Sequence, residues 1–263
     1  MFPYFTLFGR QIYLYGLCAF LGAALGWILM HVRLKRNPVM KDTDCEMAFI
    51  FALIGVFVGA KVLSIITVLP DIIRDIGMLS TDPKVFLSRY LYSGFVFYGG
   101  LIGGILGVWI YSRRSRIPFR NFITVMLPSV PLIHAVGRLG CFFSGCCYGI
   151  PSEKFGIIFK NSEIAPNDIP LLPTQLIETA GNLIITLVLV LYMRRRDRHP
   201  YRALALYLTM YGVMRFVLEF FRYDAYRGFV GVFSTSQWIC FGVWIFAGIL
   251  VALARREEKK TEG

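Results

Sequence analysis

Residues 46–69 read EMAFIFALIGVFVGAKVLSIITVL. Between Glu46 and Leu69 the single ionisable side chain is Lys61. A helix of that length runs roughly 36 Å, enough to cross the ~30 Å of hydrocarbon in a bilayer. In lipid a helix is favoured because it satisfies its own backbone donors and acceptors. Outward from this stretch, further apolar runs predict helices at about 12–30, 94–111, 121–138, 175–193, 202–221 and 235–254. The pattern predicts an all-α integral membrane protein with about seven transmembrane helices. We expect one polytopic membrane domain over 1–263, with an outer interfacial segment at 70–93 and an outer loop at 139–174. There is no internal repeat and no low-complexity segment.

Composition agrees. The 263 residues are 56% hydrophobic and 17% charged, against roughly 25% charged in soluble domains. Mean hydropathy is +0.61. The net charge of +12 would suit a nucleic-acid partner in a soluble protein, but its placement argues against one. Seventeen Lys and Arg side chains lie in the first, third and fifth linkers and the C-terminal tail, among them Arg113, Arg194, Arg196 and Arg255. Seven lie in the second, fourth and sixth linkers, among them Arg74 and Arg227. Cytoplasmic loops carry the excess of positive charge, so the N-terminus is expected outside and the C-terminus in the cytoplasm. The first apolar run lacks a basic start and a small-residue cleavage site, and it reads as a retained helix rather than a removed signal peptide.

Against this apolar background a few ionisable residues stand out. Lys61, Arg138 and Arg215 lie inside predicted spans, with Glu178 and Glu219 within or at the ends of theirs. An ionisable residue at a span's centre costs roughly 2.5–3.5 kcal/mol on insertion scales, so it is read first as functional. With alternating helix directions, Tyr15, Tyr98, Arg138, Gln175, Glu178, Arg215, Arg222 and Gln237 all fall toward the outer half of the membrane. Such convergence is what one site open to the outer leaflet would produce. Arg215, Glu219 and Arg222 follow an i, i+4, i+7 spacing that places them on one helical face. A guanidinium fork binds phosphate bidentately and keeps its charge. The bland alternative is a structural Arg–Glu–Arg ladder. His134 shares the Arg138 face and reads first as a packing residue, then as a proton acceptor. Lys61 reads as supporting.

Gly103, Gly104 and Gly107 read as helix-packing residues, whereas Gly99 and Gly100 read equally well as room for a ligand. Cys18, Cys45 and Cys240 are scattered and pack like small hydrophobes. Cys141, Cys146 and Cys147 cluster in a Gly-rich turn, but they lack the paired C-x2-C spacing and fourth ligand of a zinc site. No metal and no cofactor is expected. The trio reads first as small packing residues at a tight glycine-rich turn, with a disulfide among them and a reactive thiol beside Arg138 as alternatives.

These residues together resemble a known family, the bacterial prolipoprotein diacylglyceryl transferases. The likeness covers nearly the whole chain. It rests on Tyr15-Gly16-Leu17, Gly59-Ala60-Lys61, Phe97-Tyr98-Gly99-Gly100-Leu101-Ile102-Gly103 and Gly137-Arg138-Leu139-Gly140. It continues through Pro173-Thr174-Gln175-Leu176-Ile177-Glu178, Tyr211-Gly212-Val213-Met214-Arg215, Glu219-Phe220-Phe221-Arg222 and Gln237. The resemblance implies a transferase in the bacterial plasma membrane with its site toward the outer leaflet. Its reaction would pass the diacylglyceryl group of phosphatidylglycerol to the lipobox cysteine of an exported prolipoprotein, releasing glycerol phosphate. It further implies that Arg138 and Arg215 hold the phosphate and that Gly99 and Gly100 line the lipid cavity. Tyr15, Gln175, Glu178, Glu219, Arg222 and Gln237 then contact substrate. The chain departs from the family in three places. Tyr98 stands where His is common. Cys141, Ser144, Gly145 and Cys146 stand where the family usually has Asn and then Asn-Gly-Glu. Leu171 and Leu172 replace an Arg-His pair. A related enzyme acting on another lipid or acceptor, and a non-catalytic lipid-binding or transport protein, stay open as alternatives.

Overall fold

The computed structural model describes residues 3–7, 9–90, 94–160, 162, 164–195, 198–223 and 228–262. Arg196 and Arg227, both used in the charge count above, lie outside them. The chain is a helical membrane protein whose helices pack into two compact units, Pro38–Phe122 and Met1–Asn37 with Ile123–Gly263.

The smaller unit is built on α2 (Asp42–Thr67) and α6 (Phe97–Ser115), which pack along their length. Glycine makes this possible. A Cβ on Gly103 would fall on the carbonyl oxygen of Gly55, one on Gly99 on that of Gly59, and one on Gly107 on that of Phe51. Small residues four apart thus let two backbones approach. Between the two helices lie three short ones, α3 (Leu69–Arg74), α4 (Met78–Thr81) and α5 (Pro83–Tyr90), in the segment expected at the interface. Asp75 ties them together, 3.1 Å from Arg89 Nη1 and 2.6 Å from the Tyr90 hydroxyl. Lys61 donates from α2 to the Tyr90 carbonyl at 3.5 Å and lies over the Phe95 ring, in keeping with a supporting role.

The larger unit begins with a hairpin, β1 (Tyr4–Leu7) paired antiparallel to β2 (Arg10–Tyr13). Sequence reasoning missed it and started the first helix too early. Then come α1 (Leu14–Arg36), α8 (Ser129–Ser144), α9 (Thr174–Tyr192), α10 (Pro200–Glu219) and α11 (Thr235–Glu262). Each long helix packs on the next, α1 on α8, α8 on α9, α9 on α10 and α10 on α11. A shorter helix, α7 (Phe119–Met126), precedes α8 at a bend of 51°. Pro128 and Pro131 sit at the start of α8, where the missing N–H of proline breaks the hydrogen-bond ladder. Two small pairings decorate the loops, β3 (Ile157–Ile158) with β4 (Pro170–Leu171) and β5 (Phe229–Val230) with β6 (Phe233–Ser234).

All seven predicted segments are therefore helical, but they differ in apolar length. Four helices, α1, α2, α9 and α11, are long and apolar enough to cross a membrane. The bent pair α7–α8 makes a fifth if it counts as one span. Two polar side chains inside this unit find backbone partners across helices, in keeping with a lipid setting. Thr179 on α9 donates to Ala135 O of α8 at 3.2 Å. Arg33, buried at the end of α1, donates through Nη2 to Thr124 O at 2.9 Å.

Candidate active site: a carboxylate between two arginines

Pro173 precedes α9, and Thr174, Gln175 and Glu178 occupy its first turns. Glu178 is 2% exposed, and its two oxygens serve different partners. Oε2 lies 2.6 Å from Arg138 Nη2 of α8 and 3.9 Å from Arg215 Nη1 of α10. Oε1 lies 3.5 Å from His134 Nε2, one turn before Arg138 on the same face of α8. Arg215 is gripped a second time, with Nη2 2.9 Å from Glu219 Oε2 and donating to Ser236 Oγ at 3.2 Å. Side chains from three helices thus meet through one buried carboxylate, and α11 joins through the contact of Ser236 with Arg215. Burying charge in lipid is tolerable only when it is paired, and here both guanidinium groups have a carboxylate. Arg138 Nε, also buried, has no hydrogen-bond partner among the described residues. The cluster retains a donor that an anion could use.

The start of α9 also organises the turn after α8. Gln175 Nε2 donates to Cys146 O and Thr174 Oγ1 to Cys147 O, both at 2.7 Å. Arg138 Nη1 donates to Cys141 Sγ at 3.6 Å. The chain beyond α10 closes on the same turn: Tyr223 N donates to Tyr148 O at 3.2 Å, and Ile150 N to Phe221 O at 2.9 Å.

A family model described as prolipoprotein diacylglyceryl transferase matches residues 3–253. A Clostridium tetani protein named phosphatidylglycerol–prolipoprotein diacylglyceryl transferase is 36% identical over 92% of this chain and 95% of its own length. A Clostridium perfringens protein of the same name, numbered 2, is 31% identical over 98% and 96%. One from Methylococcus capsulatus is 30% identical over 93% and 91%. The chain belongs to the prolipoprotein diacylglyceryl transferase family.

For a member of this transferase family, the structure places the expected site residues unevenly. Arg138, Glu178, Arg215 and Glu219 meet directly. Gln175 joins them only through the turn it holds. Arg222 departs from the helical ladder. α10 ends at Glu219, so the i+7 face does not extend that far, and the Arg222 backbone instead pairs with Gly149. Gln237 receives a different account. Its Oε1 accepts from Ser234 N at 2.9 Å, while Ser234 Oγ accepts from Gln237 N at 3.3 Å. This is a capping box that starts α11. Gln237 Nε2 donates to Phe216 O at 3.4 Å. Tyr15 opens α1 half exposed, with its ring against Gly140.

Tyr98, Gly99 and Gly100 belong to the other unit. Tyr98 opens α6 and is 37% exposed. The space expected beside Gly99 and Gly100 for a lipid is filled on their Cβ side. Gly99 faces Gly59 and Leu63, while Gly100 faces Val56 and Ala60. The close approach of α2 therefore accounts for both glycines. Sequence reasoning missed Ser236 and the capping role of Gln237, although Ser234-Thr235-Ser236-Gln237 carries the S-x-x-Q signature of a helix start.

Proposed function

We propose that this protein transfers the diacylglyceryl group of phosphatidylglycerol to the lipobox cysteine thiol of exported prolipoproteins, releasing glycerol phosphate. The observation that carries the site assignment is the convergence of Arg138 and Arg215 on Glu178. In the reaction, the thiolate sulfur attacks the glyceryl carbon that bears the phosphate ester. The C–S bond forms as the C–O bond breaks, and the electron pair leaves with the phosphate oxygen. Negative charge grows on phosphate, so fixed guanidinium donors in a low-dielectric site stabilise the transition state more than the ground state. Arg138 and Arg215 are the phosphate-binding residues, and Glu178 and Glu219 hold their forks in place. Gln175 and Thr174 fix the neighbouring turn, with Arg222 beside it. Tyr15, exposed at the start of α1, is the proposed lipid contact. Tyr98, at the start of α6, is a further proposed polar group of the reaction.

The chain works as one polytopic domain in the bacterial plasma membrane. All seven long helices span it, with the N-terminus outside, the C-terminus cytoplasmic and the site toward the outer leaflet. The distribution of Lys and Arg supports this orientation. Cysteine labelling in intact cells should reach positions within 150–170 and fail to reach 113–119. The reverse pattern would overturn the orientation.

The direct test supplies purified protein with phosphatidylglycerol and a lipobox peptide. A thioether-linked diacylglyceryl peptide and free glycerol phosphate are expected in equal amounts. Phosphatidylglycerol turnover without peptide lipidation would point to another acceptor, and no turnover to a lipid-binding protein.

A further inference from the structure

Three thiols outside the arginine–carboxylate cluster have no part in the reaction above. All six cysteines are unbridged. Cys18, Cys45 and Cys240 are buried singly in separate helices. Cys141, Cys146 and Cys147 are brought together, with their sulfurs all within 4.8 Å of one another. The backbone arranges this. α8 ends at Ser144, Gly145 turns left-handed at φ 70°, and Cys147 does so again at φ 61°. A left-handed backbone is costly for a side-chain-bearing residue, roughly 1–2 kcal/mol. Neighbours hold it in place: Thr174 binds the carbonyl of Cys147, Gln175 binds that of Cys146, and Arg138 donates to the sulfur of Cys141.

We propose that Cys141, Cys146 and Cys147 form a binding site for a thiophilic closed-shell divalent cation of the Zn2+ and Cd2+ class, with three sulfur ligands and one position open to water. Soft thiolate ligands select such ions. A Zn–S bond of ~2.3 Å implies sulfur–sulfur edges of about 3.8 Å in a tetrahedral site, so the trio closes with sub-ångström shifts. Among the described residues no further Cys, His, Asp or Glu completes the group, and the fourth position is the one proposed for water.

Charge also fits. Three thiolates and a divalent ion sum to one negative charge, and Arg138 and Arg222 supply positive field at this turn. On binding, three S–H bonds are replaced by three S–metal bonds, three protons go to solvent and nothing is oxidised. The linear spacing concealed this site, because C-x4-C-C lacks the paired spacing of zinc motifs and only the two left-handed residues fold it into a tripod. The inference does not depend on the transferase reading, and its test reads metal rather than activity.

The experiment titrates the full-length reduced protein in detergent with Cd2+, following thiolate-to-metal charge-transfer absorption, and then competes with Zn2+. About one ion per chain is expected, with at least tenfold weaker uptake in Cys141→Ser, Cys146→Ser and Cys147→Ser and unchanged uptake in Cys240→Ser. Alkylation mapping of the wild-type protein keeps the test decisive if a variant fails to fold. Cd2+ should protect Cys141, Cys146 and Cys147 and leave Cys18, Cys45 and Cys240 as they were. Uptake far below one ion, protection of other cysteines, or a native disulfide within the trio would overturn the proposal.

Discussion

Helices α2 and α6 meet backbone to backbone, whereas α8, α9 and α10 meet through side chains that carry charge. Both arrangements answer one physical problem. Lipid tails are as apolar as leucine, so apolar side chains alone give helices little reason to associate. In the smaller unit Gly55 and Gly59 face Gly99 and Gly103, Gly107 faces the Phe51 backbone, and the close approach brings dispersion contacts and weak Cα–H···O bonds. In the larger unit the Glu178 carboxylate attracts both Arg138 and Arg215 where water is scarce. The first contact is stable and chemically inert. The second is costly unless all partners are present, and it is the contact on which the proposed phosphate chemistry rests.

The sharpest way to break the glycine seam is Gly103→Val. Its Cβ would fall on a backbone carbonyl that cannot move aside without separating the helices. Folded protein in the membrane should be lost almost completely, as judged by monodisperse yield in detergent. Gly242→Ala is the control, because nothing lies within 4 Å of its Cβ position. A well-folded Gly103→Val protein would show that the seam does not hold the unit.

Breaking the charge contact should act on turnover first. Glu178→Gln keeps the side chain's shape but leaves two buried guanidinium groups without their shared counterion. Removing one partner of a buried pair costs roughly 3–5 kcal/mol, so folded yield should fall and turnover should drop by about a hundredfold or more. Arg138→Lys and Arg215→Lys keep the charge and lose the fork, and each should cost about tenfold or more in turnover with folded yield retained. Near-normal turnover in both lysine variants would make these charges structural.

How far these contacts were legible follows from their physics. The helical segments were readable because a membrane span needs length and hydropathy in one local stretch, which α1, α2, α9 and α11 have. Arg138, Glu178 and Arg215 were readable because charge in an apolar span is conspicuous. The N-terminal hairpin was hidden, since Tyr4–Tyr13 is short and its strands continue an apolar run. Gly99 was ambiguous because a glycine admits either a ligand or a backbone, and the sequence does not say which. Arg222 was misplaced because the i+7 spacing presumes a helix that in fact ends at Glu219. The cysteine tripod needed two left-handed residues, one of them Cys147, where no residue type announces that conformation.

Tyr98 sharpens the comparison from the seam's side, since it opens the same helix that carries Gly99. Tyr98→Phe removes the hydroxyl and keeps the ring, which packs against Phe97. Turnover should fall by about tenfold if the hydroxyl serves the reaction, with folded yield unchanged. Full activity would confine the helix to packing.

The smallest effect is expected at His134. It lies on the charged face of α8, yet its contact with Glu178 is the weaker one, 3.5 Å to Oε1 against 2.6 Å from Arg138 to Oε2. Its ring also packs against Tyr211, with centroids 5.4 Å apart. His134→Gln retains a donor of similar reach and gives up the ring contact. The Arg138–Glu178 pair and the grip of Glu219 on Arg215 do not pass through this residue. Turnover should therefore fall only about two- to fivefold, in line with the loss of one ring contact of roughly 0.5–1 kcal/mol. A loss as large as that of Arg138→Lys, with folded yield intact, would place the proton acceptor on α8. If Tyr98→Phe were at the same time fully active, the polar role proposed for α6 would pass to His134, and the charged bundle would carry the whole of the chemistry.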